Sequence, residues 1–236
     1  MKKFPKLETI LLQDCISLNV VFDLKGDLNS SGQALDLLFP QLTKIEISHL
    51  KNLSYVWGIV PSPVQGFQNL RFLTISNCDS LTHVFTSVIV RAVTNLERLE
   101  VSSCKLIENI VTSNRCEEEY DNKGHVKTIG FNKLCYLSLS RLPKLVSICS
   151  ELLWLEYPSL KQFDVVHCPM LEISFLPTHI GAKDYLDVTY SANTKDVSFH
   201  GLKENNSRSS NRSVSCIPFI PKFIQQGTTS KRNSKV

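Results

Sequence analysis

No apolar run in this 236-residue sequence approaches the 18 or so residues needed to cross a bilayer; Val56 to Val60 and Val84 to Val90 are short or interrupted. A membrane span is excluded. No secretory leader is expected either. Lys2 and Lys3 give a basic start, but Pro5, Lys6, Glu8, Gln13 and Asp14 interrupt the stretch after them, leaving Ile10 to Leu12 as its only continuous apolar segment. The expected compartment is cytoplasmic, where thiols stay reduced. None of the nine glycines is followed by Lys, so the phosphate loop G-x-x-x-x-G-K-[ST] is absent. The six histidines stand in no nucleophile or metalloprotease motif, and no two of the eight cysteines have the close C-x2-C spacing that zinc favours. The expectation is a protein without catalysis, metal or cofactor.

Charge is modest, at 20% of residues, and unevenly placed. From residue 177 onward there are nine basic and four acidic side chains, whereas residues 1–176 hold 17 basic and 18 acidic ones. A near-neutral body lacks the clustered cations that track a phosphate backbone, so nucleic acid is not an expected partner.

What is present is a repeat. FPKLETILLQDCISLNVVF at Phe4 returns as FPQLTKIEISHLKNLSYVW at Phe39 and FQNLRFLTISNCDSLTHVF at Phe67. VTNLERLEVSSCKLIENIV at Val93, FNKLCYLSLSRLPKLVSIC at Phe131 and YPSLKQFDVVHCPMLEISF at Tyr157 complete six copies. They start 35, 28, 26, 38 and 26 residues apart, the long intervals carrying polar insertions at Lys25 to Gln33 and Asn114 to Gly130. The shared pattern is L-x-x-L-x-L-x-x-C-x-x-L, as in Leu7, Ile10, Leu12, Cys15 and Leu18. Its centre alternates with period two and predicts a short strand with one buried face. No single copy covers its own apolar face, so stability has to come from stacking. The expected fold is an α/β solenoid, a leucine-rich-repeat horseshoe of six repeats with short parallel strands on its concave face. Cys15, Cys78, Cys104 and Cys168 recur in one column, with Leu50 and Leu142 in the other two copies. That favours packing over metal binding, because Cys is small and readily buried.

The recurring FP-x-L-x-x-L-x-L-x-x-C-x-x-L openings, the copy SRLPKLVSICS at Ser140 to Ser150, and the acidic insertion ahead of GFNKL carry a resemblance. The chain resembles the C-terminal leucine-rich-repeat region of plant intracellular immune receptors of the coiled-coil, nucleotide-binding class. The resemblance covers residues 4–176. It implies a protein-interaction module that helps recognise pathogen-derived proteins and restrains a nucleotide-binding switch, held in the same or another chain. The chain opens three residues before its first repeat, with no polar cap over an apolar edge, and reads as an N-terminally truncated array. A free-standing adaptor, such as a ubiquitin-ligase substrate receptor, is the alternative; it needs a helical docking motif ahead of the repeats.

Concave-face positions are the binding candidates. The column before the first strand core residue reads Thr9, Lys44, Phe72, Arg98, Tyr136, Gln162, and the column between the two strand core residues reads Leu11, Glu46, Thr74, Glu100, Ser138, Asp164. His49, Asn77, Arg141 and His167 follow at the strand exits. Phe72, Tyr136, Arg98 and Arg141, exposed on this face, are of the residue types enriched in interface hot spots; the alternative is a merely solvated face with the two aromatics partly covered by their neighbours. The candidate face is thus Lys44, Glu46, His49, Phe72, Thr74, Arg98, Glu100, Tyr136, Arg141, Asp164 and His167. The run Glu117 to Asp121 reads as a solvated charged stretch, with an acidic contact for a basic partner as the alternative. The expected domains are a leucine-rich-repeat unit over 1–176 and a disordered, basic, Ser/Asn-rich tail over 177–236.

Overall fold

The computed structural model describes Phe4 and residues 6–23, 39–58, 66–113, 128–150 and 154–171, together with the strand backbones of 187–191, 202–204 and 211–216. In chain order the first strands are β1 (Thr9–Gln13), β2 (Val20–Phe22), β3 (Lys44–Ser48), β4 (Tyr55–Trp57), β5 (Phe72–Ser76) and β6 (Phe85–Thr86). A short helix, α1 (Ser87–Ala92), precedes β7 (Arg98–Ser102), β8 (Asn109–Thr112), β9 (Thr128–Gly130) and β10 (Tyr136–Ser140). Then come β11 (Ser147–Cys149), β12 (Trp154–Glu156), β13 (Gln162–Val166), β14 (Asp187–Ser191), β15 (Leu202–Glu204) and β16 (Asn211–Cys216).

The six repeat strands β1, β3, β5, β7, β10 and β13 pair in parallel, each with the next copy and with no slip in register. The chain therefore forms the leucine-rich-repeat solenoid that the periodicity demands. The reason is local and repeated. In every copy the first Leu donates its backbone N–H to the carbonyl of the opening residue, as Leu70 does to Phe67 at 3.1 Å and Leu96 to Val93 at 3.2 Å. This turn aims the next residues into a strand. The two apolar strand positions then fall on one face, and Ile45, Ile47, Leu73, Ile75, Leu137 and Leu139 are buried.

Side chains stitch the opening turns together. Asn69 Nδ2 donates to Pro40 O at 2.6 Å, Asn95 Nδ2 to Gln68 O at 2.5 Å and Ser159 Oγ to Asn132 O at 2.7 Å, each bond crossing to the preceding copy. The opening Phe side chains run as an aromatic spine. Phe39 lies 5.5 Å from Phe67, Phe131 lies 6.0 Å from Tyr157, and Phe22, Trp57 and Phe85 fill in between. Behind the main sheet the returning chain makes smaller parallel ladders, β2 with β4, β8 with β6 and β11 on either side, and β9 with β12, which the repeat pattern did not announce. The third copy departs most. Val93 replaces the aromatic opener after it, and α1 buries Val88, Ile89, Val90 and Ala92; β-branched residues are held helical there by packing and not by propensity.

Past the sixth copy, β14 pairs in parallel with β13, Gln162 opposite Asp187, so a seventh strand continues the array. β16 runs antiparallel to β14, and β15 antiparallel to β16, at that end of the sheet. The composition of 177–236 gave no sign of these strands. The rest of that span lies outside the described residues, as does the acidic run Glu117 to Asp121.

Candidate protein-binding face

Because register is kept, the columns read from the sequence are columns in space. Thr9, Lys44, Phe72, Arg98, Tyr136 and Gln162 stand side by side across β1 to β13, and so do Leu11, Glu46, Thr74, Glu100, Ser138 and Asp164. Neighbours in a column are one strand spacing apart, about 4.8 Å. Phe72 and Tyr136 are half-buried, partly covered by flanking side chains as one of the two readings of this face had it; Arg98, Arg141, His49 and His167 are exposed.

The charges on this face are largely partnered within the chain. Lys44 Nζ lies 2.6 Å from Glu46 Oε1, and Arg98 Nε holds Glu100 Oε1. The Arg98 guanidinium also lies over the Tyr136 ring, 3.7 Å from its centroid. Tyr136 in turn donates its hydroxyl to Asp164 Oδ2 at 2.8 Å, and Gln162 Nε2 donates to both oxygens of the same carboxylate at 3.0 and 3.2 Å. Desolvation, followed by the Asp164 bond, raises the Tyr136 phenol above its ordinary value, and the Glu100 bond raises the Arg98 guanidinium. Tyr136 is therefore a neutral donor and Arg98 a permanent cation. One continuous network, Glu100 to Arg98 to Tyr136 to Asp164 to Gln162, spans β7, β10 and β13.

Sequence reasoning missed one pair at the strand entrances. Arg71 Nε and Nη2 each lie 2.8 Å from a Glu97 oxygen, and the Arg71 guanidinium lies 5.2 Å from the centroid of the Phe72 ring. The bond from Arg71 holds Glu97 below the usual carboxylate range. The signal was available, since opposite charges occupy equivalent positions in consecutive copies.

At the strand exits Asp14, His49, Asn77, Ser103, Arg141 and His167 all adopt the left-handed conformation, with φ between 52° and 58°. Each of the first five donates its N–H to the last strand carbonyl of the next copy, from 3.2 Å at Asp14 to 2.7 Å at Arg141. The bond extends the ladder by one rung while the chain turns away. Asp, Asn and His tolerate this conformation best, which explains four of the six; Ser103 and Arg141 have no such preference. Arg141 Nε donates to Ser103 Oγ at 2.8 Å, which ties two neighbouring exits together.

The cysteine column does what its packing reading requires. Cys78 and Cys104 are buried thiols donating to the carbonyl two residues back, at 3.4 and 3.3 Å, and Cys168 makes the same contact at 3.7 Å. Cys15, in the first copy, is exposed. Burial pushes the Cys168 thiol up to about 11 and that of Cys149 up to about 12. Among the described residues no three His, Cys, Asp or Glu side chains are grouped to hold a metal ion. None of the described helices is long and apolar enough to cross a membrane.

The family model of plant disease-resistance RPS2-like leucine-rich repeats matches residues 1–105 and 87–187. The chain belongs to this family. The second match reaches into β14, so it extends past the six copies read from the sequence to the start of the seventh strand. No curated protein and no solved structure matches the chain. Membership in this family of resistance repeats gives the chain a protein-interaction role in resistance.

Proposed function

We propose that the strand face of these repeats is the protein-binding surface of a plant disease-resistance receptor. On this reading it acts in the cytoplasm without catalysis, restrains a nucleotide-binding switch and helps recognise a pathogen-derived protein. The contact residues are Lys44, Glu46, His49, Phe72, Thr74, Arg98, Glu100, Tyr136, Arg141, Asp164 and His167. The observation that carries the reading is the Arg98, Tyr136 and Asp164 network across β7, β10 and β13. Two side chains of hot-spot type are already held in one geometry there, so a partner meets them with little ordering cost.

The test is calorimetric titration of the chain with a nucleotide-binding domain from a receptor of this class. Arg98→Ala and Tyr136→Ala should each weaken binding by about 2 kcal/mol. Full affinity in both variants refutes the assignment of the face.

A further inference from the structure

The cysteine column sets two cysteines in neighbouring copies at one place, Cys78 in the third copy and Cys104 in the fourth; Cys15 faces Leu50, and Cys168 faces Leu142. Both are free, buried thiols. The strands leading to them are locked in register, with Ser76 opposite Ser102, and Asn77 extends the ladder by donating its N–H to Ser102 O at 3.0 Å. Each thiol donates to the carbonyl two residues back, Cys78 to Ser76 and Cys104 to Ser102, so the two side chains hang from equivalent positions about one strand spacing apart. Cys104 Sγ also accepts from the Cys78 backbone N–H, and the two thiols bond to one another. The next residue of each copy closes the arrangement, because Lys105 Nζ lies 2.7 Å from Asp79 Oδ2 and ties the two turns together.

We propose that Cys78 and Cys104 are a redox pair, which hydrogen peroxide converts to a reversible disulfide that staples the third copy to the fourth. A disulfide needs Cα atoms about 4.4–6.8 Å apart, and a strand spacing of about 4.8 Å meets this. Side chains hung in parallel leave the Cβ atoms at about that same spacing, a little beyond the usual range of about 3.5–4.5 Å. Closing the bond therefore stores strain, and a strained disulfide is the more easily reduced. In a reducing compartment the pair rests as thiols and is linked only while oxidant is present.

The bond between the thiols holds Cys78 below its ordinary value, so Cys78 supplies the thiolate. Its sulfur attacks one peroxide oxygen; the O–O bond breaks, an S–O bond forms, and the departing hydroxide takes up the thiol's proton and leaves as water. Cys104 Sγ then attacks Cys78 Sγ. The S–S bond forms, the S–O bond breaks, and hydroxide departs with the Cys104 proton as a second water. The two sulfurs give up two electrons and peroxide is reduced to two waters. Both cysteines are 0% exposed, so the reaction waits on local opening of the turns behind the Asp79–Lys105 pair, which admits a molecule little larger than water.

The test is peroxide treatment of the reduced, folded full chain, alkylation of the remaining thiols, and tryptic mapping by mass spectrometry without reduction. Tryptic peptides 72–91 and 99–105 each hold one cysteine, and they should be recovered joined, with the loss of two hydrogens. Reduced glutathione should release them. The linked chain should melt about 4–16 °C above the reduced one, because the crosslink closes a loop in the unfolded state. Cys104→Ser, its fold checked by circular dichroism, should abolish both the joined peptides and the shift, while Cys168→Ser should leave both intact; the map of the parent chain decides the question even if a variant fails to fold. Alkylated Cys78 and Cys104 after treatment, a bond from either to a different cysteine, a link that glutathione does not release, or an unshifted melting temperature overturns the proposal.

Discussion

The first Leu of every copy is the same residue in the same turn, which makes Leu7, Leu42, Leu70, Leu96, Leu134 and Leu160 a matched series. Leu42, Leu70, Leu96 and Leu134 are 0% exposed and Leu160 2%, with a copy packed on both sides of the first four, whereas Leu7 is only half-buried and, among the described residues, has a copy on one side. Truncating a fully enclosed Leu to Ala removes its transfer free energy and leaves a cavity, about 3–4 kcal/mol in the middle of the known range. Leu7→Ala loses roughly half the buried area and opens no enclosed cavity, so about 1–2 kcal/mol is expected. For a chain of this size, about 2–4 °C of melting temperature accompanies each kcal/mol, so Leu96→Ala should lower it by about 6–16 °C and Leu7→Ala by about 2–8 °C. The assays are thermal melting and guanidinium denaturation, both followed by circular dichroism. Unchanged slopes license comparison of the midpoints. Equal losses for Leu7→Ala and Leu96→Ala would refute the stacking account, since burial from both sides is its physical content.

The strand exits and the buried thiols give two more expected outcomes. Ser103→Gly should stabilise the chain by about 0.5–1 kcal/mol by relieving a left-handed serine, and Ser103→Val should destabilise it by more; denaturant midpoints that move together in one direction would contradict the strain. Cys149 and Cys168 titrate above their ordinary value of 9.0, at about 12 and about 11, and burial raises Tyr157 in the same direction. The unfolded chain then holds fewer protons than the folded one once the pH passes the ordinary thiol value, so stability falls as pH rises from there. Melting temperatures taken from neutral pH to about pH 10 should decline, and Cys149→Ser with Cys168→Ser should lessen the decline; a flat profile in the parent chain would show that these thiols are not buried.

The repeat strands, their parallel order, the buried columns and the identity of the concave columns were all legible in the sequence. Each is dictated by a spacing that recurs: Leu73 and Ile75 point inward for the same reason as Leu137 and Leu139, and a period-two pattern copied six times admits one stacking. The cysteine column was legible on the same ground. Tertiary structure alone decided what depends on neighbours from other copies. It lays the Arg98 guanidinium over the Tyr136 ring. It joins Arg141 to Ser103 across 38 residues. It also turns six non-glycine residues into the left-handed conformation, at a cost that only the added rung of ladder and the packed turn behind it offset. A column in the sequence specifies which side chains are adjacent; which of them touch depends on rotamers and twist, and these exist only once the sheet has formed.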